Sequence, residues 1–218
     1  ITSTSYSNGC NAGYTALART MDEQVYDLES LVHVFSAGNS GTSNCGYGAG
    51  NTWGNITGGH KMGKNVITVA NLDANDNLAT SSSRGPAHDG RIKPDISAKG
   101  SSVTSTLNDN TYGVKSGTSM SCPGVSGTLA SLYEAFEDIH GTLPPSGLMK
   151  AIVLNTADDF GNQGPDFKFG WGRINARKAF NVIENSSFGN STLNDGDSTQ
   201  FTVIVPSGTS KARFMLYW

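Results

Sequence analysis

The 218 residues carry 15 Lys and Arg against 18 Asp and Glu, a formal net charge of −3, so no basic footprint argues for nucleic acid. With 36% hydrophobic and 15% charged residues, the chain can bury a sizeable core and lacks the composition of a disordered polypeptide. No apolar run approaches about 18 residues, so no membrane-spanning helix is expected.

Residues 1–7 read as a short strand running into a polar loop through Asn11. Over residues 13–30, Tyr14, Leu17, Ala18, Met21, Val25 and Leu28 recur at helical spacing and predict a packing helix. Residues 31–35 form a short apolar run of the kind buried on both faces of a parallel sheet. Ser36, Ala37, Gly38 and Asn39 then leave its carboxyl end, which is where open α/β sheets bind ligands. The small residues at 36 to 38 allow close approach and read as the floor of a specificity pocket. Asn39 contributes a neutral amide donor. Taken alone, Gly38-Asn39-Ser40-Gly41 is an ordinary turn; its place after a buried strand and ahead of a serine motif is what raises it above that.

Residues 44–63 are a glycine-rich loop holding Cys45, Trp53 and His60. His60 and His88 are expected in solvent, and His33 inside the buried strand. Residues 66–71 predict the next strand, followed by the acidic turn Asp73-Ala74-Asn75-Asp76-Asn77. That turn lacks the glycine and distal glutamate of an EF-hand and reads as a solvated turn. Lys93-Pro94-Asp95 reads as a structural corner, because proline fixes its own backbone and biases the preceding residue towards an extended conformation.

Residues 115–127 organise the rest. Gly117 and Thr118 lead into Ser119, Pro123 follows, and Val125, Leu129, Leu132, Tyr133 and Phe136 fall on one face of a helix. Ser119 is thus expected where a loop becomes a half-buried helix, beside free amide donors and a positive dipole end. A hydroxyl next to an anion-favouring site is what acyl transfer requires. Two other hydrolase layouts do not fit: position 121 is Ser where a Gly-x-Ser-x-Gly elbow needs glycine, and Cys122 stands where Ser-x-x-Lys needs lysine.

Gly117-Thr118-Ser119-Met120-Ser121-Cys122-Pro123, with Val125 and Gly127, resembles the nucleophile motif of the subtilisin-like serine proteases. Gly124 stands where that family often has a histidine that is not the catalytic base. Phe35-Ser36-Ala37-Gly38-Asn39-Ser40-Gly41 resembles the family's oxyanion-asparagine motif. Ser82-Ser83-Arg84-Gly85-Pro86, Lys93-Pro94-Asp95-Ile96-Ser97-Ala98 and Phe169-Gly170-Trp171-Gly172-Arg173-Ile174-Asn175 match further segments in the family's order. The resemblance implies a three-layer α/β fold with a mostly parallel sheet and a secreted endopeptidase acting on proteins or peptides. Ser119 would be the nucleophile and Asn39 the oxyanion donor. Ser5, Tyr6, Ser7, Ser36, Ala37, Gly38 and Thr118 would line the substrate channel, where an extended peptide adds as a strand. No cofactor is needed for that chemistry; the family's structural calcium is compatible with the chain, with no ligands assignable and no metal site expected.

The same resemblance exposes a gap. The family's triad runs Asp, His, Ser along the chain, and nothing before Asn39 resembles its Asp or His segments. Residues 1–184 are therefore expected to be the C-terminal part of a catalytic domain whose N-terminal part is its partner, and alone to hydrolyse peptides poorly. A non-catalytic peptide-binding module is the alternative. Residues 145–156 and 175–183 predict further helices. From Asn185 the text becomes polar, and alternation over residues 199–205 and 213–218 suggests the start of a β-rich domain at 185–218, sandwich- or jelly-roll-like. Asn55, Asn185 and Asn190 head N-glycosylation triplets. Among the three cysteines, Cys122 reads as a buried thiol. Cys10 and Cys45 either pair, as suits an oxidising compartment, or are loop thiols too far apart to bridge.

Overall fold

The computed structural model describes residues 1–10, 13–47 and 49–218; Asn11, the end of the first polar loop, lies outside the described residues. Four parallel strands adjoin in chain order, β1 (Thr2–Thr4), β2 (His33–Ser36), β3 (Ile67–Leu72) and β4 (Ile96–Lys99). Thr2 lies opposite His33, Val34 opposite Ile67 and Val69 opposite Ile96. Every residue of β2 and β3 is buried, as expected of central parallel strands covered on both faces.

Alternation along the strands sends Val34, Ile67, Val69, Ile96 and Ala98 into the larger core. There they meet Val125, Leu129, Leu132 and Phe136 of α2 (Thr118–His140), Met149 and Val153 of α3 (Ser146–Asn155), and Ala179 and Ile183 of α4 (Ala176–Glu184). Side chains such as Leu129, fully removed from water, each contribute about 1.5–3 kcal/mol. A smaller core joins Ala18 of α1 (Ala16–Asp27) to Ala37, Ile56, Met62 and Ala87, with a 3-10 turn, Gly59–Met62, packed against α1. The result is the expected three-layer α/β arrangement.

Four features depart from the sequence reading. The apolar stripe of α1 is rotated: Leu17 and Leu28 are about half exposed, whereas Asp22 is buried. Its carboxylate accepts bonds of 2.8 Å from Tyr14 Oη and from the backbone N–H groups of Lys64 and Asn65, which offsets its desolvation. An antiparallel hairpin, β5 (Val103–Leu107) and β6 (Thr111–Lys115), was not evident from the pattern. It turns on Asp109 and Asn110 at φ 59 and 56, a conformation these two residue types tolerate, and β6 delivers the chain to the Ser119 turn. His60 is buried rather than solvated, because the 3-10 turn tucks it beneath β2 against Phe35. Finally, residues 199–205 and 213–218 form no ladder, since alternation makes a strand only where another strand pairs with it. The last segment instead docks through Arg213 Nη1 on the Ala157 carbonyl at 2.8 Å and Tyr217 Oη on Asn65 Oδ1 at 2.6 Å.

Asp95 is the structural corner expected of it. Burial pushes its carboxyl up, but Lys150 and Lys93 beside it hold it below the usual carboxylate range. Lys93 Nζ lies at 2.6 Å, Lys150 Nζ at 3.2 Å, and the Thr68 N–H donates at 2.7 Å. Asp73 spends its oxygens within its own turn, accepting from Asn75 N, Asn77 N and Asn77 Nδ2. Asn55 is fully buried, donating to Ser43 O and accepting from Arg84 N, so its triplet is not a surface acceptor.

Cys10 and Cys45 are bridged, with Cα atoms 5.6 Å apart and a sequence separation of 35. Closing a loop of that length restrains the unfolded chain by about 3–4 kcal/mol. The double variant Cys10→Ser/Cys45→Ser is expected to melt at a visibly lower temperature by calorimetry. An unchanged melting temperature would show that the bridge adds nothing to the native state.

Candidate active site

The turn from β6 into α2 passes through Gly117, whose φ of 148° is a conformation that disfavours side chains. A Cβ there would stand 3.2 Å from Asn39 Nδ2, so glycine also leaves room for that amide. Thr118 and Ser119 are the first two residues of α2, where N–H groups have no intrahelical acceptor. The half-buried Ser119 directs its Oγ to the Ser5 carbonyl at 3.1 Å.

Pro123 lies at the sixth position of α2, beyond its first turn. Having no N–H, it leaves the Ser119 carbonyl without its helical partner. Ser5 Oγ donates to that carbonyl at 3.3 Å, so the exit of β1 and the start of α2 are joined by two reciprocal bonds.

Asn39 follows the end of β2, eighty positions before Ser119 in the chain. Its Oδ1 accepts from the Thr118 N–H at 3.0 Å and from Thr118 Oγ1 at 3.1 Å, while Thr118 Oγ1 accepts from the Gly38 N–H at 3.1 Å. Two donors facing Oδ1 fix the orientation of the amide, and Nδ2 has no protein partner among the described residues. A hydroxyl, an exposed carboxamide N–H and a free first-turn amide thus converge at the positive end of a helix of 23 residues. Such a set can attack a carbonyl and hold the oxyanion that forms.

Of the other residues expected to line a channel, Ser5, Tyr6 and Ser7 are exposed beyond β1. Ser36, Ala37 and Gly38 are buried, and Ala37 belongs to the smaller core. Residues 57 and 58 form a crosspiece between the loops that leave β1 and β2: Thr57 N–H donates to Ala37 O at 3.1 Å and Gly58 N–H to Gly9 O at 2.9 Å. A Cβ at Gly38 would collide with Thr57 Oγ1. The next turn places His60 against Tyr6 at 5.0 Å between ring centres, and Lys61 Nζ 3.2 Å from Thr57 Oγ1. Burial pushes His60 down to about 4, helped by the Lys61 charge, and pushes Lys61 down to about 8. Gly58-Gly59-His60-Lys61 sits in a glycine-rich loop, and nothing in its pattern distinguishes it from solvated text.

None of the four histidines is bonded to Ser119. His33 bonds Thr2 Oγ1 and Gln24 Oε1, His140 bonds the Ile183 carbonyl, and the exposed His88 meets the edge of Tyr47. Among the described residues no group of three or more His, Cys, Asp or Glu is placed to hold a metal ion. No helix is long and apolar enough to cross a membrane among the described residues. A cleft of about 410 Å³, lined by Asp76, Arg84, Phe160 and Lys168, shares no residue with this constellation.

The family model described as the subtilase family matches residues 1–172. C5a peptidase of Streptococcus pyogenes is 30% identical over 154 residues, which is 64% of this chain and 13% of that protein. Subtilisin DY of Bacillus licheniformis is 33% identical over 171 residues, 78% of this chain and 54% of that protein. The structure of the CspB protease of Clostridium perfringens aligns with a TM-score of 0.55 and 28% identity, over 62% of this chain and 30% of that one. The chain thus spans between an eighth and about half of the length of these relatives.

Proposed function

Since the chain belongs to the subtilase family, we propose that it supplies the nucleophile and the oxyanion donors of a serine endopeptidase acting on proteins or peptides. Ser119 Oγ attacks the peptide carbonyl carbon. The electron pair of the C=O bond moves to oxygen, and that oxygen is held by the Ser119 N–H and Asn39 Nδ2. The Ser119 proton passes to an imidazole, which then protonates the leaving amine. In this reading, that imidazole and its carboxylate partner come from polypeptide outside this sequence.

The observation that carries the reading is Thr118. Its two donors hold Asn39 Oδ1 at 3.0 and 3.1 Å, so the carboxamide nitrogen is turned outward next to the Ser119 hydroxyl. The Cys10–Cys45 bridge suits secretion, where disulfides persist.

A second reading, a groove that binds peptides without cleaving them, is favoured by one observation: Ser119 Oγ donates to a carbonyl rather than to a base. A fluorophosphonate probe separates the two. The whole protein is expected to be labelled at Ser119, located by peptide mass spectrometry, because only an activated hydroxyl displaces the leaving group. Absence of labelling in the folded whole protein would favour the binding groove.

A further inference from the structure

Among the described residues, Lys61 is the one fully buried lysine without a carboxylate partner. Its side chain has no ion pair among the described residues, whereas the buried Lys93 and Lys150 both contact Asp95. An ammonium carries three donors, and the Lys61 ammonium has one acceptor, Thr57 Oγ1 at 3.2 Å. Beside it, both ring nitrogens of the buried His60 have no hydrogen-bond partner. Burying a charge with so few partners is strongly unfavourable. Around Asp95 the same fold gives Lys93 and Lys150 three acceptors each, the shared carboxylate among them, so a cation with one acceptor here calls for a ligand.

Its position says which. Thr57 and Gly58 bridge the two walls of the channel, bonding Ala37 O on one side and Gly9 O on the other. Cys10 pairs with Thr57 as well, closing the same crosspiece from the β1 side. Above Thr57 lies Gly38, which has no side chain to cover the hydroxyl, and the Nδ1 edge of His60 faces Gly58. One wall leads from Gly38 to Asn39, the other from Tyr6 back to Ser5 and the Ser119 hydroxyl. A side chain descending between the walls from a carbonyl at Ser119 therefore ends at Thr57.

Resting on the endopeptidase reading, we infer that Lys61, acting through the Thr57 hydroxyl, makes this floor select substrates with a carboxylate side chain on the residue whose carbonyl Ser119 attacks. Thr57 Oγ1 accepts from Lys61 Nζ and so points its own proton outward, towards an acceptor. The uncompensated positive charge lies directly behind it in a medium of low polarity, where charge acts strongly. A carboxylate completes the chain of donors. A carboxamide of equal size gains no such charge-assisted bond and leaves the ammonium unmatched.

The test is made on the whole enzyme with peptide amides identical except for Glu, Gln or Leu before the scissile bond. The kcat/KM for Glu is expected to exceed that for Gln by about tenfold to a hundredfold, the range of a hydrogen bond to a charged group. Lys61→Met should bring the Glu to Gln ratio to about one while Leu peptides are still cleaved, and Thr57→Val should lower the ratio in the same direction. A wild-type ratio near one overturns the inference even if neither variant folds, as does a Lys61→Met enzyme that keeps the wild-type ratio. Either of those results, obtained with Ser119-dependent cleavage, leaves the endopeptidase reading standing; absence of cleavage of every peptide by the whole enzyme sinks both.

Discussion

Ser119→Ala is expected to reduce kcat of the whole enzyme by about a millionfold, the loss that removal of the nucleophile causes in subtilisin. The size follows from the role. Every other group in the constellation acts on charge that exists only once Oγ has bonded to carbon. Deleting Oγ therefore disables the imidazole and the oxyanion donors together. The substitution removes one hydroxyl that bonds the Ser5 carbonyl at 3.1 Å at a half-exposed position, so folding should be little affected. Thermal melting of the variant provides that control. Hydrolysis that persists at a tenth of the wild-type rate or more would place the nucleophile elsewhere.

Asn39→Ala is the next largest effect: kcat should fall by about 100- to 1,000-fold with KM nearly constant. That corresponds to about 2.7–4 kcal/mol, as found on removing the corresponding donor in subtilisin. The amide helps only when negative charge has built up on the carbonyl oxygen, so the ground-state complex should bind as before. There is a structural price as well, because Thr118 N–H and Oγ1 both lose the acceptor that Asn39 Oδ1 provides. Asn39→Asp separates the two contributions. It keeps an acceptor for Thr118 but offers an anion to an oxyanion, and should be at least as inactive as the alanine variant. An aspartate variant of near-normal kcat would remove Asn39 from the transition state.

Much of this was readable in the chain because the residues proposed for the chemistry are bound to local geometry. Gly117, Ser119 and Pro123 mark a loop becoming a helix, and the small residues after Phe35 mark a strand leaving a sheet. The meeting of Asn39 with Thr118 is a long-range fact that no local pattern states; the order of the motifs pointed to it, and the bonds at 3.0 and 3.1 Å describe it. What escaped the sequence escaped for physical reasons. Asp22 looks like a polar helix face, but three donors from two other segments draw it inside. His60 and Lys61 look like loop text, because their burial depends on a 3-10 turn wedged between α1 and β2 rather than on any periodicity. The hairpin of β5 and β6 is exposed along most of its length, Tyr112 and Val114 included, so no buried face marked it as part of a core. Residues 199–205 carry alternation without a neighbouring strand, the reverse case.

The Cys10–Cys45 bridge joins the very two loops that leave β1 and β2. Together with the Cys10 to Thr57 pairing and the Thr57 to Ala37 bond, it completes a ring of covalent and hydrogen bonds around the base of the channel. In the proposed endopeptidase, a ring of that kind sets the gauge of the slot: its rims cannot spread to admit a bulkier guest, so a rigid aperture adds a test of shape to the test of charge. Mild reductant should accordingly blunt selectivity among substrates before it slows the turnover of a good one.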